Sequence, residues 1–321
     1  MESRLHLVFR SYGGENTKNR PAWYSKQLAL ASFVRAARRV PTAEVIFLND
    51  GPIPPDLLEL MQSAGRVISI PHGPVGMRGS YWRAVTLPGK HPDWPDHDIL
   101  SLNEDDYLFR ADAFRLLEAA AAGVPQASYF SLYGTRPDYS DPRAREEFSL
   151  PRSWAPAGDQ VVDGRVWFNQ PGITTSTFSG RVGAFRKDAA LFAQCMIPFR
   201  RRFLDHETCL LYQGVVPYHG SEIFCGLPDD YVPGVRGLLR TAVLVPFRLA
   251  LNAHAVARRR TRHLLYCLTP NMATHMEHPV ISPDHDWTEE AMDVADWARG
   301  QGLARMAQSI ERGRHAQESR R

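Results

Sequence analysis

Short apolar runs alternate with segments of helical periodicity over the first seventy residues, and this alternation restricts the possible folds more than any other feature. The runs LHLVF, AEVIFLND and RVISI are typical of strands. Between them, SKQLALASFVRAARR repeats apolar residues at helical spacing, and DLLELMQSAG follows two prolines and ends at a glycine. Strands that alternate with helices predict a parallel sheet with helices on both faces.

The alternation continues beyond this region. The segments DILSLNEDDYLF and ASYFSLYG predict further strands, DAFRLLEAAAAG and KDAALFAQCM predict helices, and GRVWFNQPGITTSTFSGRVGAF predicts a hairpin or two separate strands. We therefore predict an α/β fold, Rossmann-like, with a mostly parallel central sheet. The main domain is expected over residues 1–232, followed by a helical C-terminal extension over residues 233–321 that carries a late motif of histidines and acids.

The composition is that of an ordinary globular protein. Of 321 residues, 38 are basic and 35 are acidic, and this balance argues against a dedicated nucleic-acid-binding protein. The four cysteines are widely spaced without a C-x-x-C pair, which favours free thiols in a reducing cytoplasm. No signal-peptide pattern and no apolar run of about 20 residues is present, so we expect a cytoplasmic protein.

Acidic residues stand at the ends of two predicted strands. Asp50 ends the second strand, and Glu104, Asp105 and Asp106 follow the run DILSLN. Open α/β sheets bind ligands at the carboxyl ends of their strands, and Mg²⁺ or Mn²⁺ prefers carboxylate and phosphate oxygens. Residues two apart in an extended strand share a face, so Glu104 and Asp106 are expected to face a diphosphate together while Asp105 points away. The alternative is a solvated acidic turn.

These acidic segments carry a family resemblance. LSLNEDDYLF resembles the D-x-D or E-x-D element of the GT-A glycosyltransferases of the nucleotide-diphospho-sugar transferase superfamily, in a family 2-like form. VIFLNDG resembles the acidic end of their second strand. The resemblance covers about residues 5–130 and continues afterwards only in short segments. It implies a GT-A fold and a metal-dependent, hexosyltransferase-like enzyme. The sequence departs from the commonest pattern because Asn103 and Glu104 replace the usual first aspartate.

The resemblance also implies roles for individual residues. Asp50 is expected on the nucleoside, Glu104 near the ribose or the metal, and Asp106 on Mn²⁺ or Mg²⁺. The other candidates for nucleotide-sugar binding are Arg10, Tyr12, Lys18, Gly79, Ser80, Arg83 and Asp105. The implied donor is a nucleotide-diphosphate sugar, with a UDP-sugar favoured, and the acceptor is an unknown glycan, lipid or small molecule.

The segment RRRFLDHETCLLYQG resembles the acidic motif that the family places at the start of a helix below the acceptor. Sugar transfer with inversion needs a general base for the acceptor hydroxyl, and Asp205 and Glu207 are the two candidates. With Asp205 as the N-cap, both carboxylates would also be favoured simply as capping and first-turn residues of a helix. We favour Asp205 as the base.

A histidine-rich stretch lies near the C-terminus. His275 resembles the late metal ligand of many GT-A enzymes, and a neutral imidazole is a suitable Mn²⁺ ligand. Two alternatives stay open, namely a separate metallohydrolase-like metal site and histidines that are hydrogen-bonded at the surface. His278 and His285 are weaker candidates in the same stretch.

Two further questions stay open from the sequence. The activity is predicted as glycosyl transfer, with a nucleotidyltransferase on a related fold or a catalytically inactive GT-A-like binding protein as alternatives. Residues 235–265 mix apolar residues with arginines, which predicts a helix that either packs on the domain or contacts the inner face of an anionic membrane peripherally.

Overall fold

A nine-stranded sheet forms the centre of the protein. The computed structural model describes residues 3–14, 19–147, 150, 154–173, 177–197, 203–226 and 234–318. Its strands are β1 (Leu5–Tyr12), β2 (Glu44–Asp50), β3 (Arg66–Ser69), β4 (Ile99–Glu104), β5 (Tyr107–Phe109), β6 (Ala127–Ser131), β7 (Gln160–Val162), β8 (Arg165–Asn169), β9 (Phe178–Arg181), β10 (Leu264–Thr269) and β11 (Ala273–His275). All except β5 and β11 belong to the central sheet, in the order β3-β2-β1-β4-β9-β6-β10-β8-β7.

Most strands of this sheet run in the same direction. β1 pairs in parallel with β2 and β4, β2 with β3, and β6 with β10, whereas β8 and β9 run antiparallel to their neighbours. The mostly parallel sheet confirms the predicted Rossmann-like α/β class. The carboxyl ends of β1, β2 and β4 therefore lie side by side, and open α/β sheets bind their ligands at the carboxyl ends of their strands.

Helices cover both faces of the sheet. They are α1 (Lys26–Ala37), α2 (Pro55–Ala64), α3 (Gly76–Val85), α4 (Leu87–Lys90), α5 (Ala113–Gly123), α6 (Pro142–Glu147), α7 (Val182–Phe192), α8 (Asp205–Tyr212), α9 (Glu222–Cys225), α10 (Val235–Arg258), α11 (Trp287–Gly300) and α12 (Ala304–Glu318). Successive strand residues point to opposite faces. Along β1, Leu7 and Phe9 therefore join the core with α1, α5 and α11, whereas Val8 joins the core with α3, α7 and α8.

The sequence left open a hairpin or two separate strands for the segment that contains β8 and β9, and the structure has two separate strands, because β10 and β6 lie between them in the sheet. One detail goes beyond the sequence-based predictions. The region after residue 233 supplies α10, α11 and α12, as predicted for a helical extension, and it also supplies β10 to the interior of the central sheet. α10 continues through Pro246 as one helix of 24 residues.

A small antiparallel sheet of β5 and β11 stands beside the central sheet. Its register pairs Tyr107 with His275, Leu108 with Thr274 and Phe109 with Ala273. The first residue of β5 directly follows the acidic triplet at the end of β4. The pairing therefore brings a residue from the last fifth of the chain next to residues 104–106.

A buried carboxylate ties α7 to the connection between α10 and β10. Asp188 is fully buried, and its Oδ2 atom accepts hydrogen bonds from the Tyr129 hydroxyl at 2.8 Å and from His263 Nδ1 at 2.6 Å. Arg258 forms an ion pair with the same carboxylate. Burial and the nearby charges of Arg258 and Lys187 lower the pKa of His263 to about 4, so His263 is neutral at pH 7.

Removing this carboxylate should destabilise the protein strongly. We expect Asp188→Ala to lower the free energy of unfolding by about 3–5 kcal/mol, because it leaves buried donors and a partly buried guanidinium without their acceptor. Asp96→Ala is the matched control, since Asp96 forms an exposed ion pair with Arg186 of the same helix α7 and should contribute less than about 1 kcal/mol. Urea denaturation measures both variants. Equal losses for the two would contradict the prediction.

Candidate functional site

The acidic triplet lies where β4 leaves the sheet. β4 ends at Glu104, Asp105 and Asp106 form a turn, and β5 begins at Tyr107. Each carboxylate has a different cationic partner from the first 26 residues. The pairs are Arg10 with Glu104, Lys26 with Asp105 at 3.2 Å, and Arg20 with Asp106 at 2.9 Å. The triplet is thus a partly buried set of ion pairs and differs from a solvated acidic turn.

Asp106 is the most strongly held of the three. Its Oδ2 atom accepts a hydrogen bond from Arg20 at 2.9 Å and lies 3.1 Å from His275 Nε2. Its Oδ1 atom is buried and has no hydrogen-bond partner among the described residues. Burial alone would raise the pKa of Asp106, but the hydrogen bonds and charges of His275 and Arg20 outweigh it and hold the pKa well below its usual range. Asp106 is therefore ionised at neutral pH.

His275 reaches Asp106 because β11 pairs with β5. The imidazole stacks on the ring of Tyr107, with centroids 4.9 Å apart and planes inclined by 3°. Its Nε2 atom also lies 3.3 Å from a carboxylate oxygen of Glu277. The other two histidines of this stretch lie elsewhere, because His278 is exposed and His285 pairs with Glu290 at 2.9 Å. Among the three candidates, His275 is the one that the structure brings to the acidic triplet.

Asp106 and His275 offer two of the ligands that Mn²⁺ or Mg²⁺ requires. Within the described ranges, no group of three or more His, Cys, Asp or Glu side chains is arranged to hold a metal ion. The unpartnered Oδ1 atom of ionised Asp106 and the adjacent imidazole of His275 are nevertheless two suitable ligands. Mg²⁺ and Mn²⁺ commonly take one or two protein ligands and complete their coordination with substrate phosphates and water. A metal ion at this position would have to take its remaining ligands from a diphosphate and water.

Glu104 connects β4 to α3 through Arg10. Arg10 donates to the Met77 carbonyl and the Ser80 hydroxyl, both at 3.1 Å, and forms an ion pair with Glu104. The other carboxylate oxygen of Glu104 lies 3.4 Å from the Thr177 hydroxyl. Burial raises the pKa of Glu104, although the charge of Arg10 opposes this. Arg10 was predicted to meet the nucleotide, and it lies beside Glu104 at the edge of the sheet.

Asp105 forms part of the wall of a cavity. The prediction that Asp105 points away into the fold assumed an extended strand, whereas the chain turns after Glu104. Asp105 accepts a hydrogen bond from the backbone nitrogen of Tyr12 at 2.9 Å. The cavity has a volume of about 270 Å³ and lies between the end of β1 and helices α1 and α2; among its lining residues are Tyr12, Tyr24, Lys26, Leu57, Met61 and Asp105. The candidate Lys18 lies outside the described residues.

Asp50 holds the loop that leads into α3. The side chain is 1% exposed, and its Oδ1 atom accepts a hydrogen bond from the backbone nitrogen of Val75 at 2.7 Å. Its Oδ2 atom is buried without a hydrogen-bond partner among the described residues. In this structure Asp50 therefore fixes the start of α3, and its direct contact with a nucleoside stays a prediction.

Gly79 and Arg83 are not the α3 residues that bond to Arg10, which are Met77 and Ser80. Positions 79 and 83 are four residues apart and therefore share a face of the helix. Gly79 and Arg83 line an open groove of about 550 Å³ together with Val75, Trp82, Thr86 and Lys90. Of the candidates on α3, the structure brings only Ser80 into contact with the ion pairs of the acidic triplet.

The two candidate bases differ in accessibility. α8 begins at Asp205, and the N-cap is Leu204, so Asp205 is not the N-cap that the sequence predicted. Asp205 is partly exposed, and burial together with the charges of Glu207 and Glu104 raises its pKa to about 7. Glu207 is 1% exposed, and its Oε1 atom accepts a hydrogen bond from the Tyr218 hydroxyl at 3.3 Å. Asp205 is the more accessible carboxylate of the pair.

Sequence reasoning missed Arg20 and Lys26, and it considered Thr177 only as part of a run of threonines and serines that could hydrogen-bond a sugar or phosphate. Arg20, Lys26 and Thr177 each contact one member of the acidic triplet. Arg20 also stacks its guanidinium over the ring of Tyr24 at 4.5 Å. Arg20 and Thr177 lie in irregular segments, and no periodic pattern pointed to them. For Arg20 and Lys26, the signal in the sequence was the group of cations between the end of β1 and the start of α1.

Comparisons with known proteins give distant similarities. The sequence matches no protein-family model, and no curated protein sequence is significantly similar to it. Similar solved structures include mouse xyloside xylosyltransferase 1, with 16% identity over 61% of this chain and 72% of that chain and a TM-score of 0.35. TarS from S. aureus has 10% identity, over 90% of this chain and 64% of that chain, and a TM-score of 0.38.

A third similar structure is that of a 4-diphosphocytidyl-2C-methyl-D-erythritol synthase. It has 10% identity, over 78% of this chain and 99% of that chain, and a TM-score of 0.34. At such identities and TM-scores, these similarities do not indicate which reaction this protein catalyses.

Proposed function

We propose that this protein is a metal-dependent glycosyltransferase that moves a sugar from a nucleotide-diphosphate sugar to an acceptor hydroxyl. The observation that carries the proposal is the pairing of ionised Asp106 with the imidazole of His275 at the carboxyl end of β4. Asp205 is the candidate base, and its pKa is raised to about 7 by burial and by the charges of Glu207 and Glu104. A cation site together with a carboxylate base of this pKa suits a reaction in which a diphosphate leaves and a hydroxyl loses its proton.

Asp106 and His275 are the residues that would hold Mn²⁺ or Mg²⁺. When bound, such an ion neutralises negative charge on the departing diphosphate. Arg20 and Arg10 are further cations at this edge, and each is ion-paired with a member of the triplet. A diphosphate that enters the site would compete with Asp106 and Glu104 for these guanidinium groups, and bidentate contacts of arginine with phosphate are strong.

Asp205 acts in this proposal as the general base. The acceptor oxygen forms a bond to the anomeric carbon of the sugar while the bond from that carbon to the diphosphate oxygen breaks. The acceptor proton passes to Asp205, and the nucleotide diphosphate leaves with the electron pair. A single displacement of this kind inverts the configuration at the anomeric carbon.

The nucleoside of the donor is assigned to the cavity beside Tyr12 and Asp105. Its volume of about 270 Å³, the aromatic rings of Tyr12 and Tyr24 and the ammonium of Lys26 suit a nucleobase and its ribose. A uridine nucleotide is favoured by the resemblance of the acidic segments to GT-A enzymes. All four cysteines are free thiols, which supports a reducing, cytoplasmic location.

The proposal is tested by a hydrolysis screen. Purified protein is incubated with individual nucleotide sugars, with Mn²⁺, Mg²⁺ or EDTA, and free nucleotide diphosphate is measured. We expect release of nucleotide diphosphate from one class of donor, only with the metal. Release of pyrophosphate from a nucleoside triphosphate and a sugar phosphate would instead identify a nucleotidyltransferase. Binding of UDP without turnover of any donor or acceptor would identify an inactive binding protein.

A further inference from the structure

α10 exposes an apolar face that no described residue covers. Half of the large apolar side chains that are exposed in the described ranges lie on this helix, namely Val235, Leu238, Leu239, Val243, Leu249 and Val256. Four of them are among the most exposed, between 63% and 75%. Phe224 of the adjoining helix α9 is 63% exposed as well. An isolated exposed leucine needs no explanation, but a concentration of this kind indicates a surface that is covered by something else.

The exposed side chains form one continuous stripe. At about 100° per residue, the six apolar positions fall within a sector of about 140° of the helix surface. The buried residues Gly237, Arg248, Leu251 and Ala255 lie on the opposite side. The guanidinium of Arg248 donates to the Ile223 carbonyl at 3.1 Å, and the side chain of Asn252 binds the backbone of Tyr218. One side of α10 is thus fixed to the protein, and the opposite side is apolar and exposed.

The charged residues of α10 and of the segment that directly follows it all have the same sign. Residues 235–262 contain seven arginines and no aspartate or glutamate. Arg236 near the start of α10, and Arg259, Arg260 and Arg262 just after its end, are exposed. Because arginines lie at both ends of an apolar stripe, the surface is complementary to one that combines hydrocarbon with negative charge.

We propose that this face of α10 lies in the interface of an anionic lipid bilayer, with the apolar stripe among the acyl chains and the arginines against the headgroups. In the described part of the chain, no helix is long and apolar enough to cross a membrane. A helix that lies in the plane of the interface needs only a single apolar face and basic flanks. Each arginine near an anionic surface contributes to binding, and several together give appreciable affinity.

A second copy of this chain fits the surface less well. A two-fold contact places the same patch of both copies together. The arginines of one α10 would then approach those of the other without any acid on either helix, and like charges repel. An anionic lipid surface satisfies both the apolar stripe and the arginines.

Vesicle co-sedimentation tests this proposal, and it does not depend on the transferase activity. The wild-type protein is expected to bind phosphatidylcholine vesicles that contain phosphatidylglycerol at least about 10-fold more strongly than vesicles of phosphatidylcholine alone. This preference should fall as salt is raised, because salt screens exposed charges. The combination Arg259→Gln with Arg260→Gln should weaken binding by about 30-fold, and the combination Leu239→Glu with Val243→Glu by at least about 10-fold.

Val161→Glu is the matched control, because Val161 is 72% exposed on β7 and lies outside the stripe. It should bind vesicles as the wild type does. Thermal melts verify that each variant is folded, and the arginine variants serve as an independent test if the glutamate variants unfold. The proposal is overturned if the wild-type protein does not bind anionic vesicles more strongly than neutral ones. It is equally overturned if the stripe variants bind anionic vesicles as strongly as the control variant does. It is also overturned if sedimentation velocity detects a dimer that the stripe variants abolish, since that result assigns the face to a second copy.

Discussion

Asp106→Asn is expected to abolish Mn²⁺-dependent binding of UDP and to reduce sugar transfer by about 1,000-fold. The substitution keeps the shape of the side chain and removes the negative charge that the proposed metal site requires. A metal ion that neutralises a leaving diphosphate contributes several kcal/mol to the transition state, and about 4 kcal/mol corresponds to this loss of rate. Isothermal titration of UDP with and without Mn²⁺ measures the binding, and release of nucleotide diphosphate measures the transfer.

Arg20→Gln separates the metal role of Asp106 from its ion pair. Both variants remove the same salt bridge, but Arg20→Gln leaves Asp106 ionised and close to His275. Mn²⁺ without nucleotide should bind Arg20→Gln more tightly than the wild type, because the competing guanidinium is gone. Asp112→Ala, which removes an exposed carboxylate paired with Arg39, is the control for a general loss of negative charge. UDP binding that is equally strong with and without Mn²⁺ in the wild type would contradict the assignment.

The sequence was sufficient to predict the parts of the fold that depend on local periodicity. The parallel part of the sheet was predicted from the apolar runs of β1, β2 and β4 and from the helical spacing of α1. The rule that ligands bind at the carboxyl edge then gave the position of the acidic triplet. The insertion of β10 between β6 and β8 was not predictable in this way, because strand order in a sheet depends on pairings across more than a hundred residues.

The partners within the site show a similar limit. His275 was predicted from a family resemblance, and its contact with Asp106 depends on the register of β11 against β5. Arg20 was not predicted, since its contacts with Asp106 and the Met276 carbonyl join segments that are distant in sequence. Gly79 and Arg83 were predicted from their place along the chain alone. They line an open groove on α3, whereas Arg10 bonds to Met77 and Ser80 of the same helix.

The pH dependence of transfer should report the ionisation of Asp205. A general base acts in its deprotonated form, and the pKa of Asp205 in the free protein is raised to about 7, first by burial and then by Glu207 and Glu104. kcat/KM should therefore rise about tenfold per pH unit below pH 7 and level off above it. A profile that is already flat between pH 5 and pH 8 would exclude Asp205 as the base.

Asp205→Asn should lower kcat by about 100- to 10,000-fold and remove this rise with pH. Glu207→Gln, which changes the buried neighbour of Asp205, is the matched control. The activity of this variant should still rise with pH. The midpoint of that rise should move to lower pH, because the charge of Glu207 contributes to the raised pKa of Asp205. If Glu207 is the base instead, Glu207→Gln will show the large loss and Asp205→Asn will keep the rise with pH.

Stability provides a readout for Asp205 that is independent of activity. Because its pKa in the folded protein lies above the usual value for an aspartate, the folded state holds a proton that the unfolded state releases between about pH 4 and pH 7. The ionised carboxylate therefore costs stability as the pH rises through this range. Asp205→Asn removes that cost, so its melting temperature at pH 8 should equal or exceed that of the wild type while its activity falls. If Asp205 served only to pack the protein interior, Asp205→Asn would instead lower stability and activity together.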